Sequence, residues 1–203
     1  MATQAQEAPE RSARGKLRFG WLLTATGLAL PALGNALLPP RPAALSRGDV
    51  LHSALEGFTS TVTSTDQDIA VRLVMAPHAE GPPLHVHTTF DETFVVEDGT
   101  ATLHLDGRAL TLHPGERYTV PRNTPHAPHN ETGEAVVLHT VLPRDFAGGL
   151  ANFYRASDAI GDLESPRMLL ALAAEGPSFD TFSPGAPIAL QQALRWVLGP
   201  LGR

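Results

Sequence analysis

No cysteine occurs in the 203 residues. That excludes a disulfide framework, a thiolate metal site, an iron–sulfur cluster and a cysteine nucleophile. Positive charge is also short: Lys and Arg number 15 against 21 Asp and Glu, a formal charge of −6. A chain of that balance is not built to hold nucleic acid. There is no Gly-rich phosphate loop, no Gly-x-Ser-x-Gly elbow and no usefully spaced Lys–Ser pair, so phosphate-cradling and serine-nucleophile chemistries lack their parts. No long repeat is visible. What the chain does have is 18 glycines and 18 prolines, which argue for many turns, and nine histidines. Histidine is the commonest metal ligand and the side chain that titrates near neutrality.

The front of the chain is segregated. Between Arg11 and Gly48 there is no Asp or Glu, and Arg11, Arg14, Lys16 and Arg18 precede an apolar run from Phe19 to Leu38. Three readings stay open. A basic n-region, an apolar stretch to Leu30, a break at Pro31 and small residues around Gly34 and Ala36 describe a secretory signal. A run of this length also reaches across a bilayer, which would associate residues 19–38 with a membrane. The third reading is a hydrophobic helix packed on the domain, with the protein then cytoplasmic; the first two make it exported or membrane-associated. Leu38-Pro39-Pro40-Arg41-Pro42 cannot continue a helix and reads as a linker.

From about Thr59 to Pro143 the hydrophobic period becomes two. Ile69, Val71, Leu73 and Met75 share one face, and Val136, Leu138, Thr140 and Leu142 share another. Asp98-Gly99 and Asp106-Gly107 lie between apolar runs and predict hairpins, since both turn residues take positive φ. Short strands with turns every 8–12 residues imply an all-β antiparallel sandwich or barrel. After Pro143, Asp145–Arg155 reads as loop or short helix. Leu163–Glu175 reads as a helix capped by Ser165 with Pro166 in its first turn. Ile188–Leu198 reads as a second helix with Ile188, Leu190, Leu194, Val197 and Leu198 largely on one face.

The chemistry concentrates in two stretches. His85 and His87 are two apart on a predicted strand, so their side chains leave the same face and can converge on one ion. Glu92 opens the next strand and brings a carboxylate from beside them. His126 opens a further strand after a Pro-rich turn and offers a third imidazole. Three neutral imidazoles and a carboxylate suit a borderline divalent metal, with positions left for water or substrate. His129 should point to the other face of its strand. His104, His113 and His139 lack paired spacing and read as structural, and Glu97 and Asp98 as parts of a turn.

Those stretches resemble the cupin superfamily. Its first motif is Gly, five residues, His-x-His, three or four residues, Glu, six residues, Gly; here His85-x-His87, four residues, Glu92, six residues and Gly99 match, with Ala79 at the place of the opening glycine and Gly81 nearby. Its second is Gly, five residues, Pro-x-Gly, two residues, His, three residues, Asn; here Gly115, Pro121, His126 and Asn130 match, and Asn123 replaces the turn glycine. Asn tolerates the left-handed backbone better than most residues. The resemblance implies a double-stranded β-helix, or jelly-roll barrel, with a metal inside held by His85, His87, Glu92 and His126. Fe or Mn is the first expectation, with Ni, Co, Cu or Zn as alternatives. The expected organisation is a basic, hydrophobic segment and linker over 1–42, a cupin barrel over 43–146 and a helical extension over 147–203.

Resemblance to quercetinase-like single-domain cupins implies a dioxygenase-like oxidoreductase acting on a small molecule, with Glu92 as both ligand and proton acceptor. The alternatives are a non-catalytic metallo-cupin that binds a small ligand, or an isomerase or epimerase. Neither reading involves nucleic acid. Pairing of barrels through sheet edges, together with apolar C-terminal helices, makes a homodimer the expected assembly.

Overall fold

A computed structural model describes residues 44–163, 165–175 and 179–199. The hydrophobic segment at 19–38 and the whole of 1–42 lie outside the described residues. Among the described residues no helix is long and apolar enough to cross a membrane.

Among the described residues, nine strands and three helices follow in chain order. The strands are β1 Val50–Ser53, β2 Phe58–Ser64, β3 Ile69–Met75, β4 Glu92–Asp98, β5 Ala101–Leu105, β6 Arg108–Leu112, β7 Arg117–Val120, β8 His126–His129 and β9 Val136–Leu142. The helices are α1 Arg144–Ile160, α2 Pro166–Ala174 and α3 Ile188–Leu198. One sheet has the order β1-β2-β3-β9-β4-β7 and the other β6-β5-β8, all pairs antiparallel. The alternation read from the sequence is realised: Ile69, Val71, Leu73 and Met75 on β3 and Val136, Leu138, Thr140 and Leu142 on β9 are all buried. With Phe58, Phe94, Leu103 and Leu105 these faces close a core between the sheets. The second sheet is widened by two single bridges: His85 pairs with His126 on β8, and Val86 pairs with Phe182 from far down the chain.

The two Asp-Gly turns part company. Asp106-Gly107 closes the β5–β6 hairpin with both residues at positive φ. Asp98-Gly99 does not make a hairpin, because β4 and β5 belong to different sheets. A bulge between Val96 and Asp98 against β9 breaks the ladder there. Gly99, at φ +78, then carries the chain across, where a Cβ would meet the Ala135 carbonyl oxygen at 2.6 Å. Asn123 adopts φ +65, so it does occupy the left-handed position of the turn.

The stretch expected as loop or short helix is instead the seventeen-residue α1. Gly148-Gly149 weakens helix propensity by roughly 1 kcal/mol per glycine. Packing overrides it: Phe146, Ala147, Ala151 and Tyr154 are buried, and Gly149 admits Phe179, whose side chain would lie 3.2 Å from a Cβ. Ser165 caps α2 as read from the sequence, accepting from the Met168 N–H at 3.2 Å. Helix α3 turns its apolar face away from the barrel. Leu190, Leu194, Trp196 and Val197 are exposed, and the residue it buries is Arg195.

Candidate metal centre

His85, His87, Glu92 and His126 meet inside the barrel, their ligand-capable atoms all within 4.8 Å of one another. The fold places each. Glu92 starts β4, opposite Val120 on β7. His126 starts β8, and its backbone exchanges hydrogen bonds with His85 at 2.9 and 3.0 Å. His87 is fixed through its carbonyl, which accepts the Asn123 N–H at 2.7 Å. His87, Glu92 and His126 are buried; His85 keeps part of its surface open to the cavity described below.

Each imidazole has its Nδ1 against a backbone carbonyl: His85 with Pro83 at 2.8 Å, His87 with Asp180 at 2.5 Å and His126 with Thr124 at 2.9 Å. A carbonyl can only accept, so each Nδ1 carries the proton and each Nε2 presents its lone pair. Orientation of this kind is how proteins prepare imidazoles for a metal. The Nε2 atoms of His126 and His87 lie 3.0 and 3.3 Å from the same Glu92 oxygen, Oε2. Three electron-rich atoms so close need a cation between them, a proton or a metal ion. The donor set therefore fits a divalent metal, and the residues can hold one.

Burial pushes the His85 imidazole down to about 3, helped by the neighbouring His126 and His87 rings, so it stays neutral. Burial alone would raise the Glu92 carboxyl, but the His126 and His87 rings that face it outweigh burial and hold the group below its ordinary range. The other Glu92 oxygen is touched by Thr140 Oγ1 at 3.4 Å. Phe90 stacks on the His87 ring, centroids 4.4 Å apart.

A set of supporting residues was not legible in the sequence. The Asp180 carboxylate accepts the Thr88 and Thr89 N–H groups at 2.8 and 2.7 Å and both their hydroxyls at 2.6 Å. Burial would raise that carboxyl, and the hydrogen bonds from Thr88 and Thr89 pull it below its usual value. Arg195 donates to the Phe179 and Thr181 carbonyls and stacks over Phe182, 4.5 Å from the ring centroid. Residues 179–182 thus form a strap that clamps the loop after His87. No local pattern announces it, because its partners are some ninety residues away.

His85, His87 and Glu92 of the quartet border a cavity of about 520 Å³. Six of the eight phenylalanines of the chain line it: Phe58, Phe94, Phe146, Phe153, Phe179 and Phe182. Glu56, Ser60, Thr140 and Tyr154 supply polar points, and Arg195 is the one Lys or Arg among the described residues of the wall. The remaining histidines are not all isolated. His139 pairs with Glu97, which also pairs with Arg72, and His104 meets His129 and Glu131 outside the barrel. Asn130 bonds backbone as expected, donating to the Ala76 and Glu134 carbonyls.

A two-sheet antiparallel barrel with His-x-His, Glu and His turned inward is the architecture of a cupin. Residues 71–142 match the family described as Cupin domain, and that stretch carries the chain's likeness to the cupin superfamily. Among solved structures it is similar to KdgF from Halomonas sp., at 21% identity and TM-score 0.42, covering 51% of this chain and 94% of that one. It is similar to a sugar phosphate isomerase of the cupin superfamily from Silicibacter pomeroyi DSS-3, at 21% identity and TM-score 0.42, covering 52% and 76%. It is also similar to the polyketide cyclase RemF from Streptomyces resistomycificus, at 22% identity and TM-score 0.41, covering 50% and 79%. No curated protein matches the chain. Cupin proteins bind small-molecule ligands and commonly a metal.

Proposed function

We propose that the protein is a metal-dependent oxidoreductase of the dioxygenase type that acts on a small, largely apolar organic molecule. Fe or Mn is held by His85, His87, Glu92 and His126. The observation that supports this best is the opening of His85, His87 and Glu92 onto a phenylalanine-lined cavity. When bound, the metal supplies Lewis acidity and open positions for substrate oxygen atoms. The phenylalanines fix the ligand by apolar contact and keep water out. Glu92 is the catalytic residue: its Oε1, with only a long contact from Thr140, takes a proton from a substrate hydroxyl. A sugar or sugar phosphate asks for many hydrogen bonds or a free cation. Arg195 is already committed to two carbonyls, which disfavours the isomerase alternative. Non-catalytic ligand binding is the second reading, supported by the same cavity.

Metal analysis of protein purified without chelator, paired with oxygen uptake on catechols, diketones and flavonols, tests the proposal. The expected result is a bound transition ion, one of which is lost in His126→Ala, and oxygen consumption with a member of the panel. Bound metal with silence across the panel selects ligand binding; metal content unchanged in His126→Ala removes the site. We also propose export or membrane attachment through residues 19–38, checked by sequencing the N-terminus of native material.

A further inference from the structure

Thr102 and His104 lie two apart on β5 and share a face. The ladder pairs Thr102 with His129 and His104 with Ala127 on β8, so the two histidines are diagonal neighbours. Their ring centroids are 4.3 Å apart with planes tilted by 46°. Glu131, two residues past His129, reaches back over both. Its Oε1 lies 2.9 Å from His104 Nε2, and its Oε2 accepts Thr102 Oγ1 at 3.2 Å. Ligand-capable atoms of His104, His129 and Glu131 all fall within 4.8 Å of one another.

Glu131 is not a loosely hung surface acid. Its neighbour Asn130 is 1% exposed and is pinned by bonds to the Ala76 and Glu134 carbonyls and to Thr132. That anchor fixes the start of the loop from which the carboxylate projects. The His129 ring is partly buried against the His104 ring, and Glu131 and Glu80 surround it with negative charge. Both rings border an open cavity of about 690 Å³ that also touches Glu80, leaving room for water ligands. This cluster shares no residue with the interior quartet. His129 is three residues from His126, so the strand sends the two side chains to opposite faces.

We propose that His104, His129 and Glu131 form a second divalent metal site on the outside of the barrel, for a borderline ion such as Zn, Ni, Co or Cu. Two imidazoles and one carboxylate match the preferences of those ions and leave open positions. The ion ties β5 to β8 across the face opposite the quartet. The site stands independently of the proposed activity.

Zinc titration of the full chain by calorimetry and thermal unfolding, in physiological salt with excess magnesium, tests it. The unsubstituted chain should take two zinc ions. His126→Ala should keep the outer event, and adding His104→Ala and His129→Ala to it should abolish that event. Glu131→Gln should weaken the outer event by about tenfold or more. The four positions are at least partly exposed or buried at the quartet alone, and circular dichroism verifies that each variant folds. Equal zinc stoichiometry in the unsubstituted chain and in the His104→Ala, His129→Ala double variant overturns the proposal. So does an outer event so weak that magnesium displaces it, which marks an adventitious ion only.

Discussion

Glu56 is 3% exposed at the cavity wall, with Oε2 accepting from Ser53 Oγ at 3.0 Å. Burial pushes its carboxyl up to about 7; the Ser53 hydrogen bond opposes and the Asp158 charge adds. A carboxyl raised in the folded state holds its proton more tightly there than when unfolded. Its stabilising effect is full below the unfolded value of 4.5 and is lost as pH rises through about 7. The loss is on the order of 3 kcal/mol. Urea unfolding should therefore show Glu56→Gln gaining stability relative to the parent between pH 5 and pH 8; parallel pH profiles would rule the effect out. Gly81 marks a different constraint. It sits at φ +69, and a Cβ there would come within 2.1 Å of the Pro128 carbonyl oxygen. Backbone cannot yield as a flexible side chain does, so Gly81→Ala should cost several kcal/mol, more than about 2, in the same assay. The quartet was legible because strand periodicity and short spacing carry it: four residues between His85 and His126 start or flank strands. Glu56 and Tyr154 were not, since nothing local tells an ordinary glutamate from one facing an apolar cavity.

Elements were legible where local chemistry and tertiary demand agree. The β3 and β9 alternation, the Asp106-Gly107 hairpin and the Ser165-Pro166 start of α2 all qualify. They misled where packing decides. Helix α1 survives two glycines because its Phe146 face and the Phe179 ring need each other. Asp98-Gly99 bends between sheets rather than within one. The strap at 179–182 is the extreme case, a segment without a period of its own that is held by contacts to residues 86–89. Asp180→Ala deletes four hydrogen bonds to the Thr88-Thr89 loop and should lower stability by about 2–4 kcal/mol. It should also weaken metal binding at the quartet by about tenfold or more, though every ligand remains. A chelator competition, read beside urea unfolding, separates the two effects; unaltered affinity would mean that the strap does not orient His87.

At the scale of the molecule, metal binding and folding are linked. An ion that binds only the folded chain stabilises it by about 4 kcal/mol when its free concentration is a thousand times Kd. Chelator should therefore lower the unfolding temperature of the parent, and the drop should shrink in His126→Ala. Leu190, Leu194, Trp196 and Val197 are exposed on α3, and sedimentation of Trp196→Glu beside the parent checks whether that face joins two copies, as the homodimer expected from the sequence would require. The strap has one more consequence, for biosynthesis. Translation delivers β1 to β9 and all four residues of the quartet before it delivers Phe182, which bridges back to Val86. A nascent chain still hidden in the ribosome beyond α2 owns the complete donor set yet lacks the clamp on His87, so the pocket is finished only after the strap has emerged.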